Sequence, residues 1–203
     1  MKYQILTLFF IVSSLSNSIF AQEWSLAKEK NGVKVYTRKI EGWGIKEYKA
    51  EMTVKSSFWD VVKTLKDVRS RSEWLHNTIE IREIGASEKD LVTIYTKVDA
   101  PWPVADRDNI TRFAFSYPSA NRAHIKMTIL KSHEKAPIYS GVVRVERLQG
   151  HWIIQDKGNG YVSVVQQCVA EPGGSLPDWV VNSAVVDTPL QSMSNLKTYL
   201  EKG

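Results

Sequence analysis

Apolar and polar positions alternate along most of this chain, and a period of two predicts strands. The pattern holds over 33–40 and 45–54. It returns over 79–84, 91–100, 109–117, 123–131, 141–148, 152–156 and 161–171. Short turn-rich links such as Pro118 to Asn121 and Lys157 to Gly160 separate the later strands and predict an antiparallel meander. On β-like segments such as Val92, Ile94 and Val98, or Ile125, Met127 and Ile129, the apolar residues share one face. Lys97, Asp99, His124 and Lys126 take the other, so the predicted sheet has one dry and one wet face. Two stretches break the alternation. Trp24 to Lys30, closed by Asn31 and Gly32, predicts a short helix. Phe58, Val61, Val62, Leu65 and Val68 recur at helical spacing behind a capping Ser56 or Ser57, predicting a helix that stops near Ser70. Glu73 to Leu75 adds a short continuation.

The end of the chain changes period. Glu171 to Asn182 reads Glu-Pro-Gly-Gly-Ser-Leu-Pro-Asp-Trp-Val-Val-Asn. Ser175 can cap a helix, and Pro177 suits a first helical turn, where a missing N–H costs nothing. Leu176, Trp179, Val180 and Ala184 then form one apolar stripe. Pro189 interrupts it, and Leu190, Met193, Leu196 and Leu200 resume it. The prediction is a long, kinked, amphipathic C-terminal helix hinged at Gly173 and Gly174. The fold class is α+β: a curved antiparallel sheet wrapped around that helix, because a sheet of this many strands must curl and its concave face must be filled. The helix either seals a core or closes a cavity.

The 203 residues suit one domain. Its first residues carry Lys2, an apolar run from Ile5 to Leu15 and a polar Ser16 to Ser18, with Ile19 and Ala21 ahead of a break. That is the pattern of an export signal of residues 1–21, cleaved after Ala21, and it is too short for a stable membrane anchor. The mature domain would be 22–203, exported to the periplasm or the extracellular space. Losing Lys2 lowers the formal charge from +5 to +4. No dense basic block or basic stripe interleaved with aromatics occurs, so a nucleic-acid partner is not expected. Weak attraction to a membrane surface is compatible with the charge. Cys168 is the single cysteine and falls in a strand pattern, as a small buried residue would.

Catalytic signatures are sparse. His76, His124, His133 and His151 lack metal-ligand spacing, so no metal and no cofactor is expected. There is no Gly-x-Ser-x-Gly elbow and no phosphate-binding glycine loop. His76 and Asp99 are the candidate acid–base groups if the chain is an enzyme. Asn109-Ile-Thr111 matches a glycosylation acceptor. Trp43, between Gly42 and Gly44, either reaches a membrane interface from a loop tip or folds back onto the sheet.

Three segments carry a family signal. Pro101 to Asp108 reads Pro-Trp-Pro-Val-Ala-Asp-Arg-Asp, Gly141 to Val145 reads Gly-Val-Val-Arg-Val, and the Pro-Gly-Gly, Leu-Pro, Trp and Asn of Glu171 to Asn182 follow in order. Together they resemble the START domain, the steroidogenic-acute-regulatory-related lipid-transfer family, from about Trp24 onward. The resemblance implies a helix-grip fold around an apolar tunnel that holds one lipid or sterol. It implies that Arg107 faces the tunnel and meets a phosphate or hydroxyl, with Asp108 holding the loop. Read without the family, Arg107 is a surface arginine paired with Asp106 or Asp108. The expected wall comprises Ile94, Val98, Thr111, Phe113, Ile125 and Met127 from strands and Val180 and Ala184 from the helix, each of which also reads as ordinary core. Ala100 and Leu148 stand where choline-binding members supply rings, so choline is not the expected head group. The expected protein is a non-catalytic, monomeric carrier. A cofactor-free cyclase or hydrolase on a hydrophobic substrate, and a non-transferring cell-envelope interaction protein, are the alternatives.

Overall fold

A computed structural model describes residues 23–85 and 88–202; the expected export signal lies outside the described residues. The chain forms ten strands: β1 (Ser25–Lys30), β2 (Val33–Arg38), β3 (Glu47–Lys55), β4 (Thr78–Glu83), β5 (Leu91–Val98), β6 (Asp106–Ser119), β7 (Arg122–Leu130), β8 (Val142–Arg144), β9 (Arg147–Gly158) and β10 (Tyr161–Glu171). Helices α1 (Phe58–Lys66) and α2 (Val68–Trp74) lie between β3 and β4. The chain ends in α3 (Asp178–Asn182), a π-helical turn (Ser183–Asp187) and α4 (Thr188–Glu201).

One sheet runs in the order β1-β2-β3-β10-β9-β7-β6-β5-β4. It is α+β, with a curved antiparallel sheet closed by the C-terminal helix. Two meanders meet where β10 pairs with β3, Val164 opposite Met52 and Gln166 opposite Ala50. Two expectations need correction here. Trp24 to Lys30 is no helix: Asn31 and Gly32 adopt φ of 54° and 73°, the left-handed pair of a two-residue hairpin turn, and β1 pairs back on β2. The segment 141–148 is not one antiparallel strand either. Its first part, β8, runs parallel to β6, while Arg147 and Leu148 begin β9.

The concave face holds the core. Val33, Val35, Ala50, Met52 and Val54 from β2 and β3 meet Leu190, Met193, Leu196 and Leu200 of α4. Each Val, Leu or Met among these contributes about 1.5–3 kcal/mol on full burial. Ser57 caps α1 by accepting from Asp60 N–H, and Asp67 both ends α1 and caps α2 by accepting from Arg69 N–H. Trp74 of α2 meets Trp152 edge-on, ring centres 6.3 Å apart. A smaller cluster of Ile84, Tyr95, Ile110 and Ala136 lies on the convex side.

The C-terminal helix is built differently from the predicted kinked rod. Its cap residue is Pro177, with no side-chain cap bond, so Ser175 does not cap it. The π turn absorbs one extra residue ahead of Pro189, which then occupies the first turn of α4, where no N–H is missed. Trp179, placed on the apolar stripe, is 55% exposed, while its stripe neighbour Val180 is buried.

Candidate functional site

Beneath this C-terminal segment lies a cavity of about 220 Å³. Tyr48 of β3, Val98 of β5 and Cys168 and Ala170 of β10 form its floor. Ala100 and Pro101 of the β5–β6 loop close one side, and Leu176, Val180 and Val185 form its roof. The wall is apolar with few polar groups, and one of them is a guanidinium.

That guanidinium belongs to Arg107. Residue Arg107 pairs with Val98 across β5–β6, which puts both on the concave face, while Asp108 turns to the convex face. Arg107 is 7% exposed. Its Nε donates to Pro172 O at 3.4 Å, Nη2 to Gly173 O at 3.2 Å, and Nη1 to Ala105 O. All three acceptors are backbone carbonyls, and Asp106 is instead engaged with Lys97 at 3.1 Å. Burial lowers the Arg107 pKa from its ordinary value, and the nearby Asp106 charge opposes that shift. Arg107 is thus buried and forms no ion pair with Asp106 or Asp108, which are paired with Lys97 and Arg144. The side chain is held at the cavity by neutral oxygens, with its positive charge unneutralised by a carboxylate contact among the described residues.

The same carbonyls explain the glycines. Gly173 and Gly174 have φ of 71° and 67°, a region that side chains strain to adopt. A Cβ on Gly173 would lie 3.1 Å from Val143 Cγ1, and one on Gly174 would lie 3.8 Å from Arg107 Nη2. The turn that leads into the roof is thus also the turn that holds Arg107. Asp108 does separate work. It forms a buried pair with Arg144, whose Nη2 is 2.9 Å from Asp108 Oδ2. Arg144 also donates to Ala136 O at 3.2 Å and Pro137 O at 3.0 Å, tying the β7–β8 loop to the sheet.

The nominated wall residues divide into two groups. Val98, Arg107, Val180 and Ala184 line the cavity. Ile94, Phe113, Ile125 and Met127 lie further along the concave face, in the main core cluster. Thr111 is buried there too, donating to Asn109 Oδ1 at 2.9 Å, so the side chain of the glycosylation-type asparagine is already engaged. His76 and Asp99 both border the cavity. Trp43 folds back: the Arg147 guanidinium sits 3.9 Å over its ring. Cys168 is buried, and burial pushes its thiol up to about 12, with a Tyr48 hydrogen bond opposing that shift.

Sequence reasoning missed two buried cations, Arg144 and Arg71. Arg71 of α2 is 4% exposed and lies 4.2 Å over the Phe113 ring. It donates to Leu65 O at 2.5 Å, but its Nε has no acceptor among the described residues. Burial pulls its pKa down to about 9, with Asp67 opposing. The signal was present: Val68, Arg71 and Trp74 follow at spacings of three, so Arg71 stands in the apolar stripe of α2.

A curved sheet gripping a C-terminal helix, with a mostly apolar cavity and one unneutralised guanidinium, defines a helix-grip domain. The START domain model matches residues 17–198, and the chain belongs to the START domain family. It is 32% identical over 195 residues to an uncharacterized protein of Pseudomonas aeruginosa, covering 94% of this chain and 93% of that one. It is 27% identical to the phosphatidylcholine transfer protein of Bos taurus, over 79% of this chain and 76% of that one. The crystal structure of a STAR-related lipid transfer protein fragment from Xanthomonas axonopodis superposes with a TM-score of 0.77 at 32% identity, covering 87% of this chain and 98% of that one.

Proposed function

We propose that this protein binds one lipid or sterol molecule, polar end toward Arg107 and apolar body beneath the C-terminal helix, and carries it between membranes as a monomer without chemical change. The observation that carries the reading is Arg107: a buried guanidinium beside an apolar cavity, held by carbonyls alone. A lipid phosphate or hydroxyl left unpartnered in such a space costs about 1–3 kcal/mol, so the N–H groups of Arg107 not spent on the carbonyls favour its entry. A planar guanidinium can donate to such an oxygen from several N–H groups. The lipid-transfer relatives supply the ligand class, and the absence of rings at Ala100 and Leu148 disfavours choline.

The cavity, at about 220 Å³, is smaller than the roughly 300–1,000 Å³ of pockets that enclose drug-sized ligands. Loading a whole lipid therefore needs the roof to move. The roof is short α3 and the π turn, tethered at its far end by Lys28 to Asp187 at 2.6 Å on the surface. Its hinge is Gly173 and Gly174, and opening there enlarges the site. Trp102, 90% exposed beside Pro101, and Trp179, beside Val180, flank the mouth and suit a membrane interface. The N-terminal pattern supports export, with transfer taking place in the periplasm or outside the cell.

The test is transfer of fluorescent phospholipids between donor and acceptor vesicles. The reading predicts protein-dependent transfer of intact lipid and a 1:1 adduct. Absence of transfer together with absence of any bound lipid overturns it. His76 and Asp99 at the same cavity favour a second reading, hydrolysis or cyclisation of the bound molecule, which a changed lipid mass would reveal.

A further inference from the structure

We propose that His124 and His151 form a two-imidazole site for a borderline divalent transition-metal ion, such as Zn²⁺, Cu²⁺ or Ni²⁺, on the outer face of the sheet. The two residues stand on the neighbouring strands β7 and β9. The register pairs His124 with Ile153 and Lys126 with His151, so the histidines are diagonal neighbours on one face. Alternation sends Ala123, Ile125 and Trp152 into the core, which fixes both imidazoles on the opposite, outer side. Their ring centres lie 5.3 Å apart, with the planes at 58°.

That separation matches chelation. A zinc–imidazole bond of about 2.0–2.1 Å puts the ring centre about 3.2 Å from the ion, so two rings at a tetrahedral angle have centres about 5.2 Å apart. Among the described residues, no hydrogen bond occupies a ring nitrogen of either histidine, although both are only half-exposed. The carboxylate of Glu47 reaches His151 electrostatically from β3, while bonded to Arg38 at 2.7 Å and Gln167 at 2.8 Å. Lys126, across from His151, opposes a cation there. No third His, Cys, Asp or Glu joins the pair among the described residues, so water or a small anion completes the coordination and the ion exchanges freely. Once bound, it clips β7 to β9 and stabilises the folded state by mass action.

The experiment is electron paramagnetic resonance of the purified protein with one equivalent of Cu²⁺. The expected spectrum shows coupling to two imidazole nitrogens. His124→Gln or His151→Gln loses that signature and weakens Cu²⁺ binding by more than the roughly tenfold cost of losing a group behind a ligand. His76→Gln and His133→Gln leave it intact. A two-nitrogen signal that survives His151→Gln overturns the proposal. Zn²⁺ titration of the unmutated protein by NMR gives an answer without any variant. Shifts confined to the His124 and His151 rings support the site, and shifts at His76 or His133 instead overturn it.

Discussion

Strand alternation gives Arg107 and Asp108 opposite fates. The first meets the cavity and the second is locked to Arg144 on the convex side, 1% and 4% of the two partners' side chains remaining exposed. Arg107→Leu therefore removes a ligand contact: affinity for a ligand with an anionic head falls by roughly one charge-assisted hydrogen bond, about 1.5–3 kcal/mol, in a lipid-binding titration. Asp108→Ala leaves Arg144 buried without its counter-charge, and costs stability, about 3–5 kcal/mol in urea unfolding. Equal effects of the two changes on ligand affinity would contradict this division. At Cys168 the sign is set by burial. The unfolded thiol ionises near its ordinary pKa of 9, while the folded one stays protonated up to about 12. The unfolded state is thus favoured progressively as pH rises from about 9 to about 12. Urea midpoints should fall between pH 8 and pH 10.5, and fall less in Cys168→Ala; equal falls would remove Cys168 as a contributor.

The proposed loading route runs through the C-terminal segment. Its glycine turn, the proposed hinge, also supplies the carbonyl that holds Arg107. Gly173→Ala meets a positive φ and a contact of 3.1 Å to Val143. It should cost about 1–3 kcal/mol of stability and slow lipid exchange, measured by denaturation and by stopped-flow transfer. Unaltered exchange would dissociate the hinge from loading. The apolar spacing of α4 was legible in the sequence, because Leu190, Met193, Leu196 and Leu200 all face the core. The first turns were not. Pro189 signalled an interruption, but a π turn and a kink leave the same mark in sequence. The β1 segment misled for a different reason. Its residues are all exposed, so no buried face recorded the strand period. Of the nominated residues, Arg107 came from the family resemblance and Val98 from strand alternation, and only the structure sets them opposite each other across β5–β6. Arg71 was hidden by its charge, which reads as surface until the helix is seen to bury it.

At the scale of the molecule, Phe113, Ile125 and Trp152 belong to the buried core, and a cavity lies beside Arg107 under the C-terminal segment. Trp102 and Trp179, next in sequence to the lining residues Pro101 and Val180, are both exposed. Trp102→Ala should weaken binding to liposomes several-fold in a sedimentation assay while leaving affinity for soluble short-chain lipid unchanged; full liposome binding would exclude that loop from the contact. The central claim, that the cavity beside Arg107 is where a single lipid is carried, is tested most directly by native mass spectrometry of the purified protein followed by lipid extraction. The account predicts a 1:1 adduct of intact lipid or sterol whose occupancy drops in Arg107→Leu. A protein that carries no ligand even after incubation with lipid vesicles, or an adduct indifferent to Arg107, would contradict it.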